Sequence, residues 1–186
     1  GINGGYTNLI MNTVIISNNY AESKGGGICL SYSSPTLSNL LVINNTSFKG
    51  GGILVAGSNP LLINSTISNN QADEGGSLYS EQESSSSILV NSILWYNSTD
   101  EIFIAAGSVT ATYSDIEGGY EGEGNIDVDP RFIDSENDDY HLLASSMLIN
   151  GGHPDSTDSD GSRADIGAYP YLNSYSGPTW YITESG

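Results

Sequence analysis

Aliphatic residues recur along this chain in short bursts set between Asn- and Gly-rich phrases, and the bursts keep time. Asn12-Thr-Val-Ile-Ile-Ser-Asn18 returns as Asn39-Leu-Leu-Val-Ile-Asn-Asn45, Asn64-Ser-Thr-Ile-Ser-Asn-Asn70 and Asn91-Ser-Ile-Leu-Trp-Tyr-Asn97. A degenerate copy stands at Tyr113-Ser-Asp-Ile-Glu-Gly-Gly119, and the steps between first residues are 27, 25, 27 and 22. A second phrase keeps the same beat: Lys24-Gly-Gly-Gly-Ile28, Lys49-Gly-Gly-Gly-Ile53 and Glu74-Gly-Gly-Ser-Leu78. Two motifs in one phase over successive copies define a repeat architecture.

The columns of the repeat predict its geometry. One apolar column reads Ile15, Val42, Ile67, Leu94 and Ile116, and another, five residues earlier, reads Ile10, Leu37, Leu62, Leu89 and Ala111. Five is odd, so one straight strand cannot point both residues inward. The residue between them, Asn12, Asn39, Asn64 or Asn91 in four copies, is therefore expected to bend the chain in the left-handed conformation that Asn tolerates. Its side-chain amide is also expected to bond its equivalent one lap above, giving an Asn ladder. A third column, Ile28, Ile53, Leu78 and Phe103, follows the Gly-rich turn. Three short strands and three turns per lap of roughly 25 residues predict an all-β, right-handed parallel β-helix solenoid of about five coils. Right-handedness follows from the general preference of parallel crossovers.

Composition then divides the chain. With 22 Asp+Glu against 4 Lys+Arg the formal charge is −18. Four cations supply no footprint for nucleic acid, and no apolar run is long enough to span a membrane. Fourteen of the acidic residues fall between Asp115 and Asp165, after the beat stops. Residues 1–119 thus read as coils and 120–172 as an irregular acidic C-terminal cap. Residues 173–186 read as a linker and the start of a further module, with an apolar strand opening at Thr179-Trp-Tyr-Ile-Thr183. The opening Gly1-Ile2-Asn3-Gly4-Gly5 reads as the middle of a coil, so the chain is expected to be a piece of a longer solenoid. The lone Cys29, in an apolar run, reads as a packed thiol.

The coils resemble bacterial right-handed parallel β-helix repeat proteins of the pectin-lyase-like superfamily. The closing phrases Gly124-Asn-Ile-Asp-Val-Asp-Pro-Arg-Phe132, Asp139-Tyr-His-Leu-Leu143 and Gly161-Ser-Arg-Ala-Asp-Ile-Gly-Ala-Tyr169 are similar to the closing segment of secreted choice-of-anchor surface proteins. That resemblance implies a secreted or cell-surface location and a superfamily that includes polysaccharide lyases and hydrolases.

No catalytic residue is assigned. A lyase needs a base and cations for the uronate, and the coils hold only Lys24 and Lys49, stacked with Glu74 next in the column. They either clamp a uronate or form a solvent-facing ladder in which Glu74 offsets Lys49; the second reading is adopted. Asp138-Asp139 is a carboxylate pair, but the Gly-His-Gly and Arg-x-Lys phrases of the polygalacturonases are absent. His141 and His153 are too few for zinc. Asp155, Asp158 and Asp160 form a candidate calcium loop of non-EF type, with Arg163 expected to pair a nearby carboxylate. Trp95 and Tyr96 form a candidate sugar-stacking patch.

The functional expectation is a non-catalytic extracellular segment, structural, adhesin-like or surface-assembling, in a larger secreted protein. Its partners would be a polysaccharide or glycan, other surface proteins or copies of itself. The alternative is part of a carbohydrate-active β-helix whose catalytic coils lie outside this chain.

Overall fold

A computed structural model describes residues 1–172; the expected linker and further strand at 173–186 lie outside the described residues. The coils wind into three five-stranded sheets, all parallel. The first contains Ile2–Gly5, Ile28–Ser31, Ile53–Ala56, Leu78–Glu81 and Ile102–Ile104. The second contains Ile10–Asn12, Thr36–Ser38, Leu61–Ile63, Ser86–Val90 and Ser108–Thr112. The third contains Ile15–Ser17, Leu41–Ile43, Thr66–Ser68, Ile93–Trp95 and Asp115–Ile116. Every strand bonds to its equivalent one lap away, so the expected five-coil parallel solenoid is what forms. The first two laps add a short fourth side, Tyr20–Lys24 beside Thr46–Lys49, which continues as bridges to Gln71 and Glu74.

Pairing partners define the core columns. Met11, Leu37, Leu62, Leu89 and Ala111 stack along the second sheet. Ile16, Val42, Ile67, Leu94 and Ile116 stack along the third. All ten are buried. The first lap therefore departs from expectation by one residue: Met11 and Ile16 face inward, while Ile10 and Ile15 are 77% and 61% exposed. The cause is the bend. It falls on Thr13 (φ 58°), and the equivalent bends are Asn39, Asn64, Asn91 and Tyr113 at φ 47–52°. Thr13 N–H donates to Ser38 O, as the residue after a strand must to stay in step with the lap above. Asn12 thus pairs with Ser38 and is not a bend residue. In the last lap Ile102, not Phe103, pairs with Leu78; Phe103 points outward and stacks on Tyr79 at 5.3 Å.

The Gly-rich turns are tight for two distinct reasons. Gly50 sits at φ +64°, and a Cβ on Gly51 would lie 2.7 Å from Gln71 O in the next lap. Only a residue without a side chain lets the two laps approach this closely.

The segment after the coils does more than close their end. Asn125 and Ile126 seal the last lap, Asn125 Oδ1 accepting from Ser114 N–H and Ile126 pairing with Asp115. The chain then runs back along the outside of the third sheet as a strap. A hairpin, Phe132–Asp134 with Asp139–Leu142, brings Tyr140 against Leu41 and Ile43, and Leu142, Leu148 and Ile166 cover Ile93 and Trp95. Gly167 N–H donates to Asn91 O and Ala168 N–H to Thr66 Oγ1. The acidic segment is thus a lateral cover over laps two to four as well as a cap.

Gly51→Ala should lower stability by about 1–3 kcal/mol in urea unfolding through overpacking. Gly5→Ala, where a Cβ meets open space, should leave the midpoint within experimental error.

Candidate functional site

A cleft of about 440 Å³ opens at the last coil, lined by Asp100, Glu101, Ile102, Ile116, Glu117 and Tyr120 among others. Asp100, Glu101 and Glu117 bring three carboxylates to its lining, so its chemistry is the first to weigh. Glu101 is buried, and burial raises its carboxyl to about 7, a shift opposed by hydrogen bonds from Ser77 and Asn97. A carboxyl tuned to neutrality is a common acid–base catalyst. Its partners, however, explain it without a substrate.

Asn19, Asn45, Asn70 and Asn97 project inside the coils, one per lap. Asn19 Nδ2 donates to Asn45 Oδ1, Asn45 Nδ2 to Asn70 Oδ1 and Asn70 Nδ2 to Asn97 Oδ1, all at 2.9 Å. Each of these oxygens also accepts the backbone N–H of the preceding Asn, at 2.8–3.0 Å. The second amide hydrogen reaches the carbonyl of Ile16, Val42 or Ile67 one lap back. The buried amides therefore use essentially their whole bonding capacity. No Asn stands at the next rung, and Glu101 takes the place. Its Oε1 accepts Asn97 N–H at 3.1 Å, and its Oε2 accepts Asn97 Nδ2 at 2.8 Å and the Ser77 hydroxyl. Glu101 terminates a directional chain of hydrogen-bonded amides.

This is the ladder of the fold, and it differs from the expected one. The expected positions make only isolated contacts: Asn39 Nδ2 to Asn12 Oδ1 at 2.7 Å and Asn91 Nδ2 to Asn64 Oδ1 at 3.0 Å. The readable signal was the second Asn of each pair, recurring at 19, 45, 70 and 97. In these pairs the first residue, Asn18, Asn44 or Asn69, turns the backbone at φ 54–57° and the second fills the interior.

The remaining candidates are also held by structural partners. Lys24 makes a two-pronged bond to Glu81 at 2.7 and 2.8 Å. Lys49 reaches Glu74 at 3.0 Å and the Tyr79 hydroxyl at 3.0 Å. The Tyr79 and Glu74 bonds raise its pKa further. Cys29 is half-buried, and burial pushes its thiol up, away from thiolate chemistry. Asp138 accepts from Asn44 while Asp139 holds His141 at 2.7 Å, so this pair faces two different partners. His153 packs its ring on Tyr113. Among the described residues Arg163 pairs no carboxylate: it donates to Gly152 O at 2.6 Å and lies over Tyr113.

Trp95 is 7% exposed, buried beneath the strap, and so is not a surface platform; Tyr96 alone remains outside, at 47%. Asp158 accepts Asp165 N–H, and Asp160 accepts Ser162 N–H and its hydroxyl; Asp155 N–H donates to His153 Nδ1. Among the described residues no three His, Cys, Asp or Glu side chains converge to hold a metal ion, and no helix is long and apolar enough to cross a membrane.

Residues 2–126 match the right handed beta helix region family. The chain belongs to this family. No curated protein and no solved structure matches it. The family membership makes the stacked coils a right-handed β-helix.

Two predictions follow from the ladder. Asn70→Ala should destabilise the protein by about 2–4 kcal/mol in denaturant unfolding, because it orphans Asn45 N–H, the Asn45 amide and a lone acceptor in a dry interior. A raised carboxyl favours the folded state only while protonated. The stability contributed by Glu101 and by Asp115, also raised to about 7 by burial, is full below their unfolded values near 4. It is lost as pH climbs to about 7. A melting temperature that falls from pH 4.5 to 7 and then levels off is the expected profile.

Proposed function

We propose that this chain is a non-catalytic β-helix segment, serving as a rigid structural, adhesin-like or surface-assembly module within a larger secreted, pectin-lyase-like protein. One observation carries the reading: the coil residues best equipped for chemistry, Lys24, Lys49, Glu101 and Trp95, are each committed to another part of the protein. Both coil lysines are paired, Glu101 ends the ladder and Trp95 lies under the strap. The acidic cleft has no cation to receive a uronate, which disfavours an acidic polysaccharide as its occupant. What the coils offer outward is a regularly repeating, sparsely charged surface. A spacing of about 4.8 Å per lap sets its repeat, and such a surface suits display, packing against neighbours or contact with a neutral glycan.

Incubation of the chain with pectin, polygalacturonate, alginate and xylan should release neither unsaturated products nor new reducing ends. Turnover by this chain alone would overturn the proposal. Turnover only by a longer form of the protein would favour the carbohydrate-active alternative, with its catalytic coils outside residues 1–186.

A further inference from the structure

The joint between the last coil and the strap contains a feature that neither the ladder nor the proposed function uses. Asp115 occupies the outward column of the third sheet that holds Ile15, Leu41, Thr66 and Ile93 in the other laps. Where its neighbour Ile93 is covered by apolar strap residues, Asp115 puts a carboxyl. It is fully buried. Oδ1 accepts Val128 N–H at 3.0 Å, on the segment that leads into the strap, and Oδ2 has no partner. The charged groups that act on it are all of its own sign: Glu117 just beyond its strand, and Asp127 and Asp129 on the returning segment. The adjacent strand Ile93–Trp95 has only apolar side chains.

A buried carboxylate with an orphan oxygen and three like charges around it is stable only when it carries a proton. The cost of ionising it is relieved by lifting the returning segment away and admitting water.

We infer that Asp115 is a proton-operated latch: protonated, it locks the strap onto the third sheet, and ionised, it loosens the joint and frees the strap while the coils stay wound. Opening uncovers Leu41, Ile43, Ile93 and Trp95, a contiguous apolar strip along the third sheet. The direction follows from linkage. The closed state holds the proton more tightly than the open state, so the latch is firm in acid and weakens as pH rises towards about 7, with little further change above. The coil interior does not depend on the joint, since its apolar columns and the Asn ladder lie on the other side of the third sheet. Local opening of such a unit is a separate event from global unfolding.

Amide hydrogen exchange on the whole chain tests this, with rates converted to protection factors so that base catalysis is removed. Between pH 5 and pH 8, protection of the Val128, Gly167 and Ala168 amides should fall about tenfold or more beyond any fall, set by global stability, at the coil amide of Ile53, which is bonded to Ser77 O. Asp115→Asn preserves the acceptor for Val128 N–H and removes the charge, and should abolish the fall. Constant strap protection in the wild type, or the same fall in Asp115→Asn, would overturn the latch. If that variant does not fold, Asp127→Asn removes one repelling charge and should shrink the fall; an unchanged fall counts against the idea. In a Trp180→Phe background Trp95 is the sole tryptophan, and its emission should shift to the red over the same pH interval. Emission that is flat across it refutes strap release.

Discussion

In-register stacking is the constraint on which everything else here depends. In a parallel solenoid each residue meets its equivalent about 4.8 Å away, so whatever occupies a column is multiplied by the number of laps. Apolar side chains and amides profit from repetition, since they pack or bond with copies of themselves. Ionised groups do not, because like charge meets like charge at every rung. The near-absence of charge from the coils and its accumulation after Asp115 are two results of that one rule. Where cations do occur in register, at Lys24 and Lys49, each is drawn to a carboxylate, one of them two laps away.

The same rule makes the ends of a column the difficult places. Within the Asn ladder each amide is satisfied by the next, but Asn97 has no successor. Glu101 resolves this at the cost of burying a carboxylate, and three donors from Asn97 and Ser77 offset the lost hydration. At the third sheet the outward residues of laps two and four, Leu41, Ile43, Ile93 and Trp95, are aliphatic or aromatic and need cover, which the strap supplies, while Thr66 in the lap between them accepts a strap N–H. The buried carboxyls at Glu101 and Asp115 therefore stand where the repeat stops, each replacing a residue type that earlier laps use without difficulty.

Much of the coil architecture was legible because a repeat reports itself: period, column identity and the odd spacing that demands a bend are all local facts. Lap one was misread because Ile10-Met11 and Ile15-Ile16 offer two apolar frames with the same spacing of five. Only pairing to Ser38 and the alignment of Asn19 beneath Asn45 choose between them. The ladder was placed on the wrong Asn for a related reason. Both members of an Asn-Asn pair suit a left-handed turn, and which one turns depends on the interior that the second must fill. The strap was not legible as a lateral cover, since nothing local in 129–170 tells an end cap from a segment that folds back. Trp95 looked like a sugar platform because its cover lies some 50 to 70 positions further along the chain.

The direction of the Asn ladder carries an evolutionary consequence. Every amide donates the same way along the axis, so laps are interchangeable parts only when exchanged whole. Excising residues 46–70 would join Asn45 to Gln71 and bring Asn45 directly beneath Asn97, leaving donors, acceptors and the closing Glu101 intact. Losing a few residues within a lap would leave an amide facing empty space. Lineages of such a protein would then change length in steps of about 25 residues, the height of the column being counted in laps and not in amino acids.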